Sequence, residues 1–390
     1  MAPLPARRLG HLPVYPFAAL TQRVREMTMH GLDVINLDVG SPDMPPPTQV
    51  IDALARSAST ADHHGYAGYK GTPQFREAVA RYYQRRFGVT VDPEKEVLPL
   101  LGSKEGIVNL ILGFVDDGDT VLVPDVGYPA YSMGAYLADG DAYFIPTPEH
   151  LGFTPDLDAI PQDVLERSKI LWVNYPNNPT GATVDTSFYA RMIEFCARHG
   201  ILLASDNPYC DVTFDGYRAG SALEAPGALD HAVEFISFSK TYNMAGWRLG
   251  AAVGSQTALK TLLNIKSNMD SGHFRAVYDA GIVALDTVTQ DWVDQRNQVY
   301  QRRRDLILQA LPSIGLSAHT PKGSLYIWAK TESGDGVDYA ESALVDANVS
   351  LAPGEFYGPG GKAYVRFSIA TPEDRLHTAL ERLKTWYAQR

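Results

Sequence analysis

Cysteine is scarce in this sequence, and several common motifs of metal and nucleotide sites are missing from it. The 390 residues include 2 cysteines, Cys196 and Cys210, with no CxxC spacing. We therefore predict neither a zinc site nor a disulfide framework. The sequence has no HExxH motif and no phosphate loop, and no GxGxxG follows a predicted strand. These absences argue against a metalloprotease, a P-loop NTPase and a dinucleotide-binding fold.

The sequence also lacks an excess of positive charge and long apolar runs. The formal net charge of −11 argues against a nucleic-acid partner, because nucleic-acid binders usually carry a basic surface. No run of about 18 apolar residues occurs, so no membrane span is predicted. The N-terminal residues are rich in proline and lack the apolar core of a signal peptide. We expect a cytoplasmic protein with no membrane partner.

The apolar residues that are present fall into short runs bounded by turn residues. Such runs are typical of strands that are buried on both faces of a parallel sheet. They occur at residues 121–123, 170–173, 201–204, 235–238 and 249–253. Helical patterns fall between them, including a buried helix at 104–114 and an amphipathic helix at 186–199. The alternation predicts an α/β fold whose large domain has a mostly parallel sheet sandwiched by helices.

The pattern changes after about residue 285. A long polar helix near 291–311 is followed by strands near 325–329 and 364–369 and by a final helix near 373–388. We predict a smaller α+β domain here, completed by the N-terminal segment. The predicted divisions are an arm (1–14), the first part of the small domain (15–47), the large domain (48–288, beginning with a helix at 48–59) and the second part of the small domain (289–390).

The most informative motif is Ser237-Phe238-Ser239-Lys240, which follows an apolar run. A lysine at the end of a buried strand is partly desolvated, which lowers its pKa and makes the amine available to attack an aldehyde. Ser237, Ser239 and the later Arg248 are suited to binding a dianionic phosphate. The alternative is a surface loop with a solvated lysine, which the apolar neighbours disfavour.

These residues resemble the lysine signature of the class I/II aminotransferases, the fold-type-I pyridoxal-phosphate enzymes. The signature is Ser-x-Ser-Lys followed by Gly-x-Arg-x-Gly, and it is matched at Ser237, Ser239, Lys240, Gly246, Arg248 and Gly250. The resemblance covers essentially the whole chain. It implies pyridoxal 5′-phosphate as cofactor, bound to Lys240 as a Schiff base. It also implies ping-pong transfer of an amino group from an L-amino acid to a 2-oxo acid, with Lys240 as general base and acid.

Two further motifs follow predicted strands, where ligands bind in open α/β sheets. The first begins at Asn178 and reads Asn-Pro-Thr-Gly, a sequence that is also a common turn. The second begins at Asp206 and ends three positions later at Tyr209. The resemblance implies that Asn178 and Tyr209 donate to the phenolic oxygen of the cofactor and that Asn178 also contacts substrate. It gives Asp206 the task of keeping the pyridine nitrogen protonated, so that the ring accepts electrons. A helix N-cap is the simpler alternative for Asp206.

Three other positions match cofactor-binding residues of the family. Ser103 and Lys104 precede the buried helix, whose N-terminus offers free N–H groups to a phosphate. Tyr128 matches the aromatic residue that stacks on the pyridine ring, with Tyr131 as the alternative. Tyr66, rather than Tyr69, matches the tyrosine that reaches the phosphate of a neighbouring subunit. The resemblance therefore also implies a homodimer with shared active sites.

Substrate residues are predicted at both ends of the chain. Arg366 matches the arginine that binds the α-carboxylate of the amino acid, for which a bidentate guanidinium is the natural partner. Tyr15 and Gly40 resemble residues at the mouth of the site. The neutral Asn268 stands where dicarboxylate-specific relatives have an arginine. Lys104 and the sequence Lys-Ser-Asn-x-Asp-Ser-Gly at 266–272 resemble the branch with LL-diaminopimelate and alanine aminotransferases, with glutamate and 2-oxoglutarate as one expected substrate pair.

Three other functions are weighed against transamination. The same fold hosts carbon–sulfur lyases, which eliminate instead of transferring an amino group, and this alternative stays open. A non-catalytic regulator would need an added DNA-binding domain, which we do not expect here. A simple binding module is disfavoured by the full set of Lys240, Asp206, Asn178, Arg248 and Arg366.

Overall fold

The structure is a computed structural model that describes residues 4–10 and 12–390. The strands of the described residues are, in chain order, β1 (Ile35–Asn36), β2 (Val97–Leu100), β3 (Thr120–Pro124), β4 (Asp141–Ile145), β5 (Ser168–Val173), β6 (Leu202–Asp206), β7 (Ala232–Ser237), β8 (Gly250–Gly254), β9 (Leu316–Ser317), β10 (Tyr326–Thr331), β11 (Val349–Ser350), β12 (Ala352–Pro353) and β13 (Tyr364–Ser368).

The α-helices of the same residues are α1 (Pro16–Met29), α2 (Thr48–Ala58), α3 (Pro73–Phe87), α4 (Ser103–Phe114), α5 (Ala130–Leu137), α6 (Gln162–Arg167), α7 (Thr186–His199), α8 (Ala228–His231), α9 (Phe238–Thr241), α10 (Gln256–Met269), α11 (Arg275–Thr287), α12 (Gln290–Ala310), α13 (Gly336–Ala347) and α14 (Glu373–Tyr387). None of these helices is long and apolar enough to cross a membrane.

A seven-stranded sheet forms the centre of the larger layer, in the order β2-β8-β7-β6-β5-β3-β4. Every pair from β7 to β4 is parallel, whereas β8 runs antiparallel to both of its neighbours. Successive residues of a strand point to opposite faces. Leu122 accordingly belongs to one apolar cluster and Val121 and Val123 to another. The predicted α/β fold with a mostly parallel sheet is confirmed.

A four-stranded antiparallel sheet, β12-β13-β10-β9, forms a second layer. It shares an apolar cluster with α12, α13 and α14. The short pair β1–β11 joins the N-terminal segment to this part of the chain in parallel register. This is the α+β arrangement predicted for the small domain, while the domain boundaries themselves stay a prediction.

Several predicted elements differ in detail from those observed. Phe238, predicted to be in a strand, begins the short helix α9, because Ser237 ends β7 and accepts a hydrogen bond from Ser239 N. The arm predicted to be extended contains a 3-10 turn at Arg7–Gly10, while its residues 1–3 and 11 lie outside the described residues.

The strands β2 and β4 were not predicted, and both lie at the edges of the large sheet. Strand β2 contains Pro99, which lacks a backbone N–H and is tolerated at a sheet edge. Most of β4 is partly exposed, so its sequence lacks the continuous apolar character of the inner strands.

The topology brings the predicted motifs to the edge of the large sheet at which its parallel strands end. The strands β3, β5, β6 and β7 are parallel, so their carboxyl ends meet at that edge. Asp206 is the last residue of β6, and the segments that follow β3, β5 and β7 carry Tyr128, Asn178 and Lys240. Because β8 is antiparallel, Arg248 precedes it at the same edge.

Candidate active site

A pocket of about 360 Å³ lies at this edge, between the large sheet and the four-stranded sheet. Its walls contain most of the predicted site residues, namely Tyr15, Gly40, Ser103, Lys104, Tyr128, Asn178, Asp206, Tyr209, Ser237, Ser239, Lys240, Arg248 and Arg366. A larger cleft of about 930 Å³ lies between α3 and α12 and contains none of them. Size alone would therefore select the wrong cavity, and we place the candidate site in the smaller one.

Lys240 lies on α9, directly after β7, and is partly buried. Its Nζ donates to the backbone oxygen of Gly40, which brings the N-terminal segment over the large sheet. Desolvation lowers the pKa of the Lys240 amine, and the positive charge of Arg366 acts in the same direction. A lysine in this environment is a better nucleophile and base than a solvated one.

Asp206 ends β6 and is buried in the wall of the pocket. Its Oδ2 accepts a hydrogen bond of 2.8 Å from the hydroxyl of Tyr131, whereas its Oδ1 has no protein partner among the described residues. Burial raises the pKa of the carboxyl group to about 7. A protonated pyridine nitrogen would supply both the missing hydrogen bond and a positive charge.

Tyr131 is a residue whose task the sequence did not reveal. Its ring stacks on Trp172, with centroids 4.8 Å apart and planes inclined by 5°, and it is buried. The Tyr131 hydroxyl donates to Oδ2 of Asp206 and leaves Oδ1 free to accept a hydrogen bond from a ligand. This placement favours Tyr128, which also lines the pocket, as the ring-stacking residue.

Arg366 lies on β13 and is 3% exposed. Its Nη1 donates to Oδ1 of Asn178 at 2.8 Å, and its Nη2 donates to the backbone oxygen of Asp38. The Nε has no protein partner among the described residues. A buried guanidinium whose nearest partners are neutral oxygens is suited to binding a carboxylate.

Asn178 is held by a second asparagine that precedes it in the same loop. Asn174 accepts a hydrogen bond from Asn178 N at 2.7 Å and donates to the backbone oxygen of Asp206 at 2.6 Å. The loop after β5 is thereby tied to the end of β6. This places the amide of Asn178 between Arg366 and the end of β6.

The N-terminus of α4 and Arg248 together form a cup for an anion. Gly102 has φ +81°, and a Cβ there would lie 2.3 Å from Nη2 of Arg248, so the glycine allows the guanidinium to approach the helix. Arg248 itself has φ +58°, and its Nη1 lies 3.5 Å from the hydroxyl oxygen of Ser239. The free N–H groups of a helix N-terminus, a guanidinium and a hydroxyl are together suited to a phosphate.

These features fit the pyridoxal phosphate that the resemblance implies. The unpartnered Oδ1 of Asp206 fits the ring nitrogen, the cup fits the phosphate, and Lys240 provides the amine. Within the described residues no cluster of side chains suits a metal ion.

Tyr209 and Tyr326 form a pair of tyrosines in the pocket. The hydroxyl of Tyr209 donates to that of Tyr326 at 3.1 Å. The guanidinium carbon of Arg366 lies 3.8 Å from the ring centroid of Tyr326. Tyr326 was not predicted, because it stands in an apolar run that resembles an ordinary strand.

Lys104 also lines the pocket. Its Nζ is 4.3 Å from the ring centroid of Tyr15 and 6.0 Å from that of Tyr128. Cations bind the faces of aromatic rings in this way. The Lys104 ammonium therefore lies near the rings of Tyr15 and Tyr128, whereas Arg366 contacts Asn178 and Tyr326.

Two predicted residues, Tyr66 and Asn268, do not line this pocket. Tyr66 is 91% exposed, and Asn268 is exposed and donates to the backbone oxygen of Asn264 at 2.8 Å. Their segments are adjacent, because the ring of His64 stacks on that of Phe274 at 5.4 Å. Their assignment to a neighbouring subunit's site stays a prediction.

The charged residues around Asn268 have a structural task instead. Lys266 is 1% exposed, and its Nζ donates to both carboxylate oxygens of Asp270, at 2.9 and 2.7 Å. Glu105 on α4 lies 3.6 Å from the same nitrogen. The ion-paired cluster joins the end of α10 to the helix that begins at the anion cup.

Comparison with known proteins identifies a family and several relatives. The family described as "Aminotransferase class I and II" matches residues 32–383. A protein of Moorella thermoacetica named LL-diaminopimelate aminotransferase is 45% identical over 380 residues, which cover 97% of both chains. One of Dehalococcoides mccartyi with the same name is 42% identical over 385 residues, covering 98% of this chain and 99% of the relative.

Solved structures give the same result for the fold. Apo-BacF from Bacillus subtilis has a TM-score of 0.94 at 33% identity and covers 98% of each chain. A probable N-succinyldiaminopimelate aminotransferase from Thermus thermophilus has a TM-score of 0.89 at 36% identity, covering 95% of this chain and 99% of that one. These similarities do not favour the carbon–sulfur lyase alternative.

Proposed function

The chain belongs to the aminotransferase class I and II family, and we propose that, within this family, its amino donor is LL-diaminopimelate and its acceptor a 2-oxo acid such as 2-oxoglutarate. As a member of the family it is a pyridoxal-phosphate-dependent transaminase, and amino acids and 2-oxo acids are its substrate classes. The proposal concerns the substrate and the tasks of individual residues.

Four cationic side chains line the pocket, and Lys240 and Arg248 are assigned to the cofactor; the observation that carries the substrate proposal is the presence of the other two in the same pocket. Arg366 and Lys104 both line it, and LL-diaminopimelate has a carboxylate at each end. The buried Arg366 binds the α-carboxylate at the reacting end by paired hydrogen bonds. In this proposal the backbone of Lys104 stays part of the N-terminus of α4 that faces the cofactor phosphate, while its ammonium, near the rings of Tyr15 and Tyr128, binds the distal carboxylate as a point charge. The substrate named for the Moorella and Dehalococcoides relatives supports this assignment.

When bound, pyridoxal phosphate withdraws electrons from the α-carbon of the substrate and so makes its proton removable. In our proposal Lys240 Nζ takes that proton and returns one to the cofactor side, acting as general base and then as general acid. The lowered pKa of Lys240 increases the fraction of uncharged amine that can do so. Asp206 keeps a proton at the ring nitrogen, while Asn178 and Tyr209 donate to the phenolic oxygen.

Conversion of the bound cofactor by single amino acids, without any acceptor, tests the substrate proposal. We expect LL-diaminopimelate to convert the cofactor absorbance band at low concentration, and L-alanine and L-aspartate to do so only at much higher concentrations. The Lys104→Met variant should need at least ten times more LL-diaminopimelate for half conversion, which corresponds to about 1.4 kcal/mol. The concentration of L-alanine that this variant needs for half conversion should change little.

Two results would count against the proposal. Ready conversion by L-alanine or L-aspartate, with none by LL-diaminopimelate, would assign a different substrate. Release of pyruvate, ammonia and a free thiol from cystathionine without an acceptor would instead indicate a lyase. A Lys240→Ala protein should lose the absorbance band of the native cofactor, and it serves as the baseline.

We further propose that the protein is a cytoplasmic homodimer. Exposed aromatic and apolar side chains gather on the two adjacent segments that carry Tyr66 and Asn268; they are Tyr66, Tyr69, Met269 and Phe274. An exposed apolar patch of this kind is typical of a surface that is covered by a partner. Sedimentation equilibrium tests the dimer, and fractionation of cells tests the location.

A further inference from the structure

The hydroxyl groups of Tyr209 and Tyr326 make a direct contact that the family resemblance did not assign. Tyr326 is 4% exposed and lies on β10, one of the two inner strands of the small sheet. Tyr209 comes from the loop after β6 of the large sheet. The contact of 3.1 Å between the two oxygens therefore joins the two layers inside the pocket.

The position of the Tyr326 hydroxyl is fixed from several sides. The guanidinium of Arg366 lies over its ring at 3.8 Å. A Cβ at Gly40 would lie 1.8 Å from the hydroxyl oxygen, and the backbone oxygen of the same glycine accepts from Lys240 Nζ. The hydroxyl therefore lies against the backbone of Gly40, whose oxygen contacts the reactive lysine, and a side chain at position 40 would displace the hydroxyl.

The charges around Tyr326 make its phenol a stronger donor than an ordinary tyrosine. Despite its burial, the positive charges of Arg366 and Lys240 lower the pKa of Tyr326. A more acidic O–H donates a stronger hydrogen bond. For Tyr209, by contrast, burial raises the pKa well above its usual value.

We propose that Tyr326 is a positioning residue that acts through Tyr209: with cofactor bound, Tyr326 donates to the oxygen of Tyr209, which turns its own proton toward the phenolic oxygen of the cofactor. The proposal rests on the proposed contact of Tyr209 with that oxygen. It requires one reorientation, because a phenol has a single proton and Tyr209 directs its own to Tyr326 in the structure. No bond other than hydrogen bonds forms or breaks.

The chain of donors has a measurable effect on the holoenzyme. A donor at the phenolic oxygen withdraws electron density and makes protonation of the neighbouring imine nitrogen less favourable. Removal of Tyr209's hydroxyl should therefore raise the pH midpoint of the cofactor absorbance change. Removal of Tyr326's hydroxyl weakens the same donation without abolishing it, so its effect should have the same sign and be smaller.

The test is a spectrophotometric pH titration of four holoenzymes: wild type, Tyr326→Phe, Tyr209→Phe and the double variant. We expect the midpoint to rise in Tyr326→Phe by a few tenths of a pH unit, roughly a twofold change in the equilibrium, and to rise further in Tyr209→Phe. Because Tyr326 acts through Tyr209, the double variant should titrate like Tyr209→Phe.

Tyr357→Phe is the matched control. Tyr357 lines the same pocket and also lies under Arg366, at 4.8 Å, but its hydroxyl has no protein partner among the described residues. Its midpoint should stay at the wild-type value. Circular dichroism and the amount of bound cofactor verify that each variant is folded and loaded.

The possible outcomes separate this inference from the proposed function. An unchanged midpoint in Tyr326→Phe, or additive changes in the double variant, would overturn the relay through Tyr209. An unchanged midpoint in Tyr209→Phe would instead remove the proposed contact on which the relay rests. Conversion of the cofactor by LL-diaminopimelate tests the substrate proposal independently of these titrations.

Discussion

At the scale of single residues, Asp206 shows how a site prepared for a cofactor costs stability in its absence. The native environment favours the protonated carboxyl, and its pKa rises from 3.8 to about 7. A native pKa above the unfolded one contributes stability at low pH, and this contribution is lost as the pH rises to about 7. The full difference is about 4 kcal/mol.

We therefore predict that Asp206→Asn stabilises the cofactor-free protein at alkaline pH. The amide needs no deprotonation, so the variant should unfold at a higher urea concentration than wild type at pH 8. The difference between the two proteins should shrink toward pH 5. Urea titrations of the cofactor-free proteins at both values measure it, and a pH-independent difference would contradict the prediction. Cofactor affinity should fall in the same variant.

The residues that the sequence identified and those that it missed differ in a physical way. Lys240, Asp206 and Arg366 belong to short local motifs that match those of the family, so the resemblance of a single stretch of sequence was enough to propose each of them. Tyr131 and Tyr326 acquire their tasks only from contacts with distant residues, Asp206 and Tyr209. A tyrosine in an apolar run carries no local sign of such a partner.

At the scale of secondary-structure elements, the ion-paired cluster of Lys266, Asp270 and Glu105 links α10 to α4. The sequence motif that contains Lys266 resembled a marker of substrate preference. The structure gives its lysine a buried ion pair, which lies away from the pocket walls. Removal of one partner of such a pair leaves an uncompensated buried charge.

We predict that Lys266→Met lowers the free energy of unfolding by roughly 3–5 kcal/mol. Lys260→Met is the matched control, because Lys260 lies on the same helix and is exposed. Urea denaturation of both variants measures the difference. Equal midpoints for the two would show that the buried pair contributes no more than a surface lysine.

The inner strands of the large sheet were predicted better than its edge strands. The inner strands β3, β5, β6 and β7 have continuous apolar runs, because both of their faces are buried. Strand β4 lacks that signal because most of it is partly exposed, and the buried strand β2 contains a proline, so the sequence alone did not reveal either edge strand. The antiparallel direction of β8 is a further feature that the apolar pattern does not encode.

At the scale of the whole molecule, the pocket collects residues from distant parts of the chain. Tyr15 and Gly40 come from the N-terminal segment, Lys240 from α9 after the large sheet's β7, and Arg366 from β13. The fold is needed to assemble them, whereas Tyr66 and Asn268 stay outside the pocket of their own chain. In the proposed homodimer each would serve the partner's site.

Subunit complementation tests this arrangement. We predict that Lys240→Ala and Tyr66→Ala proteins, each with little activity, regain activity when they are unfolded together and refolded as a mixture. A hybrid dimer has one site with both native residues, so random pairing should restore roughly a quarter of the wild-type activity. The separately refolded proteins are the controls. Activity no greater than their sum would contradict a shared site.

The stacking of Trp172 on Tyr131, next to Asp206, has an optical consequence. Indole fluoresces, and a conjugated heterocycle held within a few side chains of it accepts its excitation energy without contact. The tryptophan emission of this chain therefore contains a built-in reporter of cofactor loading. Quenching would follow the filling of the pocket in real time, even in variants that carry out no chemistry.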